Sequence, residues 1–199
     1  MADLTIVAHH FSVSEGRRGD VPPRFVREFA HAAIDAGADI YAGHGWHKTL
    51  GIEIYKGKLI LYGMGNFFAQ SEFVRRVPSD AYETWGHDVD RLPTLSPAAH
   101  PLHPGLEAGA ATWWSSAVYL VTMGHDGVQR VELVPVELGR DVGGEATLRR
   151  SVGSGLTDGR PRVADEADGS VVLERLAKLS LAFGTQITID SGVGVIAPQ

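Results

Sequence analysis

The sequence predicts an α/β protein, and three features of the 199-residue chain support that prediction. The first 42 residues read as strand, helix and strand, the order of a β-α-β unit. Two later segments alternate in polarity around glycine-containing turns, as β-hairpins do. A short amphipathic helix and a last strand or hairpin follow. These elements together suit sheets that are covered by helices.

The β-α-β unit is predicted from hydrophobic pattern and from helix boundaries. Leu4–Ala8 is short, apolar and β-branched, and it leads directly into His9 and His10. Pro22–Pro23 suit the first turn of a helix and Gly37 suits its end, after which Asp39–Ala42 reads as a second strand. Within the helix, apolar residues recur at helical spacing: Phe25, Phe29, Ala32, Ala33 and Ala36. We expect the two strands to be parallel, with a right-handed crossover.

Two hairpins are predicted further along the chain. The segment GIEIYKGKLILYGMGNFF reads as two strands around Lys56–Gly57, because glycine accepts the positive φ of a tight turn. Ser115–Met123 and Val128–Leu138 read as a second pair around His125–Gly127.

The predicted organisation is one main domain over residues 1–138, with an insertion at 69–112. The insertion is rich in proline, histidine and aromatic residues, and loops of that length are usually functional. Its aromatic residues could form a lid or pack in the ordinary way. Residues 139–167 read as a flexible connection, and residues 168–199 as a helix (Ser170–Ser180) and a strand or hairpin (Gln186–Ile196) packed on the same domain.

Composition excludes several classes of function. The formal net charge of −6 argues against binding to a nucleic-acid backbone. The chain has no cysteine, so disulfides, thiolate ligands and a cysteine nucleophile are excluded. No apolar run approaches a membrane span, and the N-terminus lacks the features of a signal peptide. We expect a soluble chain as given, although a strand that begins only three residues after Met1 is typical of a fragment.

Four histidines follow the two predicted parallel strands. His9 and His10 come directly after the first strand, and His44 and His47 lie in the AGHGWH turn after the second. Ligands of open α/β sheets bind at the carboxyl ends of strands, and neutral imidazole is the commonest metal ligand of proteins. The sequence therefore predicts a metal site at this edge, while solvated loop histidines are the ordinary alternative.

Other polar residues near these histidines allow two interpretations each. Glu53 is either a solvent-facing strand residue or an acceptor that fixes an imidazole tautomer. Asn66 is either a turn residue or an amide lining the site. Asp39 is read as a helix–strand connector, and Glu15 is left open. Serine-hydrolase, dinucleotide-binding and P-loop motifs are absent from the sequence.

The run from Phe25 to Phe68 resembles the CapA, or poly-γ-glutamate capsule synthesis, family, a bacterial branch of the calcineurin-like metallophosphoesterases. The matching segments are Val7–His10, Ala30–Asp39, Gly43–His47, Gly51–Phe67, Leu133–Val136 and Leu179–Ser180.

The resemblance implies a β-sandwich flanked by helices and a dinuclear site for divalent metal ions such as Mn²⁺ or Zn²⁺. It implies His44 and His47 as ligands, together with His9 or His10. His10 is then a ligand or an acid/base, and Asn66 and Glu53 shape the catalytic site. Trp46 departs from the proline that is usual in the family.

A larger departure is that the amino-terminal metal motifs of the family, a Gly-Asp strand and an Asn-Asn-His turn, have no counterpart in residues 1–4. We therefore expect the C-terminal half of a CapA-like domain, which on its own binds metal weakly.

Three functions follow from this resemblance. The first is metal-dependent hydrolysis of a phosphoester, or action on a peptide-like or polyglutamate substrate in capsule synthesis. The second is non-catalytic binding or export of the polymer on the same scaffold. The third is a metal-dependent peptide epimerase. The full-length protein is expected to work in a membrane-bound or cell-surface complex.

Overall fold

A computed structural model of the chain describes residues 3–13, 19–68, 80, 110–138 and 160–197. The described residues form two β-sheets and three helices. Glu15, the predicted insertion apart from Asp80 and residues 110–112, and residues 139–159 of the predicted connection lie outside this description.

The first sheet confirms the predicted β-α-β unit. Its strands, in the order β1-β2-β4-β3, are β1 (Ile6–His10), β2 (Ile40–His44), β4 (Lys58–Leu61) and β3 (Ile52–Tyr55). β1, β2 and β4 are parallel neighbours, and β3 pairs antiparallel with β4 across the predicted Lys56–Gly57 turn. Lys56 and Gly57 both have positive φ, 51° and 75°. The first two strands run two residues beyond the predicted ends because backbone pairing continues to His10 and His44.

The second sheet contains the later hairpins. Its strands, in the order β5-β6-β9-β8 with β7 paired to β6, are β5 (Ser115–Gly124), β6 (Gly127–Glu137), β7 (Arg162–Val163), β8 (Thr188–Asp190) and β9 (Val193–Ile196). The first hairpin turns over His125 and Asp126, and the second joins β8 to β9. The hairpin around His125–Gly127 is therefore confirmed, and residues 186–196, predicted as a strand or a hairpin, form a hairpin.

Helix α1 (Arg24–Asp35) lies between β1 and β2, and it begins after Pro23 as predicted. Its end is closed by Gly37, whose φ is 107° and whose N–H donates to the Ile34 carbonyl. The buried face is formed by Val26, Ala30 and Ile34. The face that carries Phe25 and Phe29 is about half exposed, so the aromatic spacing predicted the helix but not its buried side.

Helix α2 (Ala110–Trp113) precedes β5, and helix α3 (Glu166–Leu181) precedes β8. α3 begins four residues before the predicted start, because the Asp165 carboxylate caps it by accepting from the Asp168 N–H at 2.9 Å. Residues 160–167 therefore form β7 and the start of α3, so the prediction of a flexible connection is wrong for this part. No helix in the described residues is long and apolar enough to cross a membrane.

Two apolar clusters hold the fold together from opposite faces of the first sheet. The cluster between the two sheets joins Ile40, Leu59 and Leu61 to Leu133 of β6 and Leu173 of α3. A second cluster packs α1 on the other face of the first sheet, through Val26, Ala30, Ile34, Tyr41, Ile60 and Tyr62. The predicted arrangement of sheets covered by helices is therefore confirmed, and it leaves the carboxyl ends of β1 and β2 at one sheet edge.

Candidate functional site

The edge that carries the histidines is set by the register of β1 and β2. His10 is the direct partner of His44 in the parallel pair, and His9 is the partner of Gly43. The imidazole rings of His10 and His44 lie edge to face, with 5.1 Å between their centroids. His10 is exposed and His44 is half-buried, so the paired rings are accessible to a solute.

Glycines leave the space that this pair occupies. Gly45 has a φ of 95°, and a Cβ on it would lie 2.8 Å from Nε2 of His10 and 2.7 Å from the Phe11 carbonyl oxygen. A Cβ on Gly43 would clash with the Tyr62 carbonyl oxygen. Side chains at either position would push β2 or His10 aside, so the glycines of AGHGWH are needed for the geometry of the edge.

His9 lies on the opposite face of β1, because successive side chains of a strand alternate. Its Nδ1 lies 2.6 Å from the Tyr41 hydroxyl, and its ring packs edge-on against Phe29 with 4.8 Å between centroids. Burial lowers the pKa of His9 below its ordinary value, and the nearby His44 and His10 lower it further. Burial also raises the pKa of Tyr41 to about 12, so its hydroxyl keeps its proton.

The contact with Tyr41 decides whether His9 can bind a metal. If Nδ1–H donates to the Tyr41 oxygen, Nε2 has a free lone pair; if the hydroxyl donates instead, Nε2 carries the proton. The structure thus brings His10 rather than His9 against His44, and the ligand role of His9 stays a prediction.

His47 is held by a chain of hydrogen bonds that fixes its tautomer. Its Nδ1 lies 2.7 Å from Oδ1 of Asn66, and Nδ2 of Asn66 donates to the Trp113 carbonyl at 2.9 Å. The Trp113 carbonyl can only accept a hydrogen bond, so the NH₂ group of the Asn66 amide must face it. Oδ1 of Asn66 therefore accepts from Nδ1–H of His47, and Nε2 of His47 keeps its lone pair. The imidazole also stacks on the Trp113 ring at 5.9 Å between centroids.

Asn66 therefore contacts His47, one of the predicted ligands, and its role as an amide lining a metal site stays a prediction. His47 has a φ of 61°, an uncommon conformation for a residue with a side chain. Since the hydrogen bond to Asn66 and the stacking on Trp113 both act on this residue, they compensate for the backbone strain.

Trp46, between the two histidines of the turn, faces the protein. Its indole Nε1 donates to the Gly19 carbonyl at 2.8 Å, and its ring packs with the α1-side cluster. Gly19 has a φ of 61°, and a Cβ on it would lie 2.7 Å from Cζ2 of Trp46. Trp46 thus fixes the chain that enters α1 to the histidine turn.

Glu53 and Asp39 contact other groups. Oε2 of Glu53 accepts from the Tyr62 hydroxyl and lies 3.0 Å from Nε2 of His31, so the imidazole that it orients is His31 and not one of the four predicted ligands. The catalytic role of Glu53 stays a prediction.

Asp39 lies at the other end of the strands. Its carboxylate accepts from the Thr5 N–H at 2.9 Å and pairs with Lys58, and the Lys58 hydrogen bond holds the pKa of Asp39 below the usual range. The prediction that Asp39 is a connector is confirmed.

Sequence reasoning missed three residues that shape this edge: Tyr41, the Trp113 carbonyl and Arg175. The guanidinium of Arg175 donates to the backbone oxygen of Thr49 at 2.7 Å and pairs with Asp20 at 2.9 Å, which ties α3 to the chain just after His47. An arginine between Val172 and Leu176, on the apolar face of a predicted helix, is a signal that could have revealed it.

The donor atoms fit a metal ion only in part. The described residues contain no group of three histidine, aspartate or glutamate side chains that is arranged to hold a metal. They do provide the adjacent imidazoles of His10 and His44 and, in the neutral form of His47, an Nε2 that the bond to Asn66 leaves free. The described edge is therefore an incomplete donor set.

Comparisons with known proteins show which family the amino-terminal part of the chain resembles. Residues 1–71 match the family model described as bacterial capsule synthesis protein PGA_cap. The chain is 39% identical over 75 residues to the PGA biosynthesis protein CapA of Bacillus subtilis, which covers 37% of this chain and 19% of that protein. It is 45% identical over 67 residues to a probable polyglutamine synthesis accessory protein of Mycobacterium tuberculosis, covering 32% of this chain and 16% of that protein.

A longer match reaches almost the whole chain. The uncharacterized protein y4sH of Sinorhizobium fredii is 32% identical over 203 residues, or 98% of this chain. The same match covers 41% of y4sH, so the chain spans about two fifths of that relative. Over residues 1–71 the chain is thus similar to CapA-type capsule synthesis proteins, which supports the resemblance seen in the sequence.

Proposed function

We propose that this chain is the part of a CapA-like protein that supplies histidines to a metal-dependent, phosphoesterase-type site used in poly-γ-glutamate or capsule polymer biosynthesis. The similarity to a PGA biosynthesis protein of Bacillus subtilis supports this assignment to polymer biosynthesis. The proposed metal-dependent chemistry rests on the histidines at the carboxyl ends of β1 and β2.

The observation that carries the proposal is the pairing of His10 with His44. Two imidazoles at the carboxyl ends of neighbouring parallel strands, with 5.1 Å between ring centroids, can turn nitrogen lone pairs toward one point. We propose that Nε2 of His47, three residues after His44, joins this pair, because the bond to Asn66 occupies only its Nδ1. A bound divalent ion would polarise a substrate oxygen and lower the pKa of a bound water.

The chain's own residues have separate roles in this arrangement. Asn66 orients His47 and keeps its proton on Nδ1, as hydrogen-bond partners of metal-binding histidines commonly do. Gly45 leaves room for His10, and the hydrogen bond of Trp46 to Gly19 keeps the turn in place. If His10 is not a ligand, its exposed imidazole is placed to exchange a proton with a substrate instead.

The test is metal content together with hydrolysis of a phosphodiester, bis(p-nitrophenyl) phosphate, by the full-length protein. We expect bound Mn²⁺ or Zn²⁺ and metal-dependent hydrolysis, and the double variant His10→Ala, His44→Ala should lose at least about 100-fold in metal affinity, more than a hydrogen-bond partner would. His125→Ala is the matched control, because His125 is exposed in the β5–β6 turn. Equal metal binding by the double variant and the control would contradict the proposal.

A second candidate is a non-catalytic component that binds the polymer on the same scaffold. It is favoured by the incomplete donor set, since no three-residue metal group occurs in the described part of the chain. Capsule production separates the two. The catalytic proposal expects the double variant to stop production, whereas the binding role expects production to continue.

A further inference from the structure

A pocket of about 580 Å³ lies apart from the histidine edge, between helix α1 and the end of helix α3. Its volume is in the range of small-molecule sites. None of its lining residues is one of the four predicted metal ligands. The residues that line it are Arg24, Arg27, Glu28, His31, Glu53, Tyr62, Ala182 and Phe183.

The inner side of the pocket is a closed hydrogen-bonded group. The Tyr62 hydroxyl donates to Oε2 of Glu53, and Nε2 of His31 lies 3.0 Å from the same oxygen. The His31 ring stacks on Tyr55 at 4.1 Å between centroids and an angle of 3°, which holds it in place. The Glu53 carboxylate thus has its hydrogen-bond partners, Tyr62 and His31, within the protein.

On the outer side of the pocket, a second carboxylate forms an ion pair with a neighbouring arginine. Arg24 and Glu28 are four residues apart on α1, with 2.7 Å between Nε and Oε1, and both side chains are exposed. The charge of Glu28 is therefore matched by its neighbour on the same helix.

Arg27 is the exception among the charged residues of this pocket. It is half-buried, and no hydrogen bond or ion pair to its guanidinium occurs within the described residues. Its Nε is buried without a hydrogen-bond partner there. A guanidinium held this way is unusual, because buried polar groups are normally hydrogen-bonded and arginine readily pairs with carboxylates.

The rest of the pocket provides an apolar wall. The Phe183 ring packs against Tyr62 with 4.7 Å between centroids, and Ala182 lies beside it at the end of α3. A ligand that fits this surface has an apolar or aromatic body next to its charged group.

We propose that this pocket binds a small organic monocarboxylate, with its carboxylate on the Arg27 guanidinium and its apolar body against Phe183. The planar fork of arginine matches the two oxygens of a carboxylate. One guanidinium without a partner matches one negative charge. A phosphate dianion suits the pocket less well, because a single guanidinium does not balance two negative charges.

The experiment uses benzoate as the probe and benzamide, which has the same shape without the charge, as the comparison, with binding measured by calorimetry on the full chain. We expect benzoate to bind at least about tenfold more tightly than benzamide. Arg27→Gln should remove that difference. Arg160→Gln, a change at an exposed arginine outside the pocket, should keep it.

A second variant tests the pocket independently, in case Arg27→Gln fails to fold. Ala182→Trp adds bulk at an exposed position that lines the pocket and leaves Arg27 unchanged, so it should also abolish benzoate binding. Undetectable benzoate binding at about 10 mM, equal binding by Arg27→Gln and wild type, or tighter binding of inorganic phosphate than of benzoate would each overturn the proposal. The histidine variants leave this result unaffected, so the two proposals fail separately.

Discussion

The two ends of the parallel strands β1 and β2 balance their charges in different ways. At the amino end, the Asp39 carboxylate joins the Thr5 N–H to Lys58, so that acid and base neutralise each other. At the carboxyl end, the rings of His10 and His44 lie against each other and His47 is held by Asn66, and no described carboxylate hydrogen-bonds to these three histidines. One end uses its polar groups to stabilise the sheet, whereas the other carries the imidazoles that we propose as metal ligands.

The largest expected effect comes from filling the space at the carboxyl end. Gly45→Ala should lower the free energy of unfolding by about 3 kcal/mol, because it adds a Cβ to a residue with positive φ and places it against His10 and the Phe11 carbonyl. Urea unfolding followed by circular dichroism measures the change.

The control for this prediction is Gly192→Ala. Gly192 has a φ of 78°, yet a Cβ there meets no atom within 4 Å. We therefore expect the free energy of unfolding to fall by only about 1 kcal/mol, the cost of placing alanine in a left-handed backbone conformation. Equal losses at the two positions would show that packing around His10 does not restrict Gly45.

A smaller effect is expected from releasing His47. Asn66→Ala removes the acceptor for Nδ1–H, so the imidazole can turn and change tautomer, and Zn²⁺ affinity should fall about tenfold. Asn66→Asp keeps an oxygen acceptor at the same position and should lose less. Isothermal titration of the folded variants with Zn²⁺ measures both, and unchanged affinity in Asn66→Ala would remove Asn66 from the site.

The smallest effect is expected at the amino end. Asp39→Asn should cost about 1 kcal/mol at neutral pH, since the pair with Lys58 is partly buried. Because the folded pKa of Asp39 is lowered from 3.8, its contribution is complete above the unfolded pKa and disappears as the pH falls through the folded pKa. The stability difference between wild type and variant should therefore shrink in acid.

Asp35→Asn gives a matched control for the amino end. Asp35 pairs with Lys56 at the surface, where both side chains are largely exposed, so we expect almost no change in unfolding free energy. Equal losses for Asp35→Asn and Asp39→Asn would contradict a special role of the connection at the start of the strands.

Local pattern predicted most of the fold. Glycine turns and apolar alternation located the hairpins, and the proline and glycine boundaries located α1. The buried side of α1 was harder to predict from the sequence, because Phe25 and Phe29 pack around His9 at the sheet edge instead of entering the core.

The site was predicted less completely because its details depend on pairing between distant residues. Alternation along β1 separates His9 from His10, but only the register with β2 shows which of them meets His44. The partner of Glu53 is His31, 22 residues away on a helix, and nothing local to the strand reveals that contact.

The most direct test of the histidine edge is a Zn²⁺ titration of the ¹⁵N-labelled chain, with the imidazole nitrogens followed by NMR. The account predicts that the Nε2 signals of His10, His44 and His47 respond first. The signals of His31, bound to Glu53, and of exposed His125 should stay unchanged at low Zn²⁺. If His31 and His125 respond together with His10 and His44, or if His10 and His44 do not respond, the assignment of a metal site to this edge is wrong.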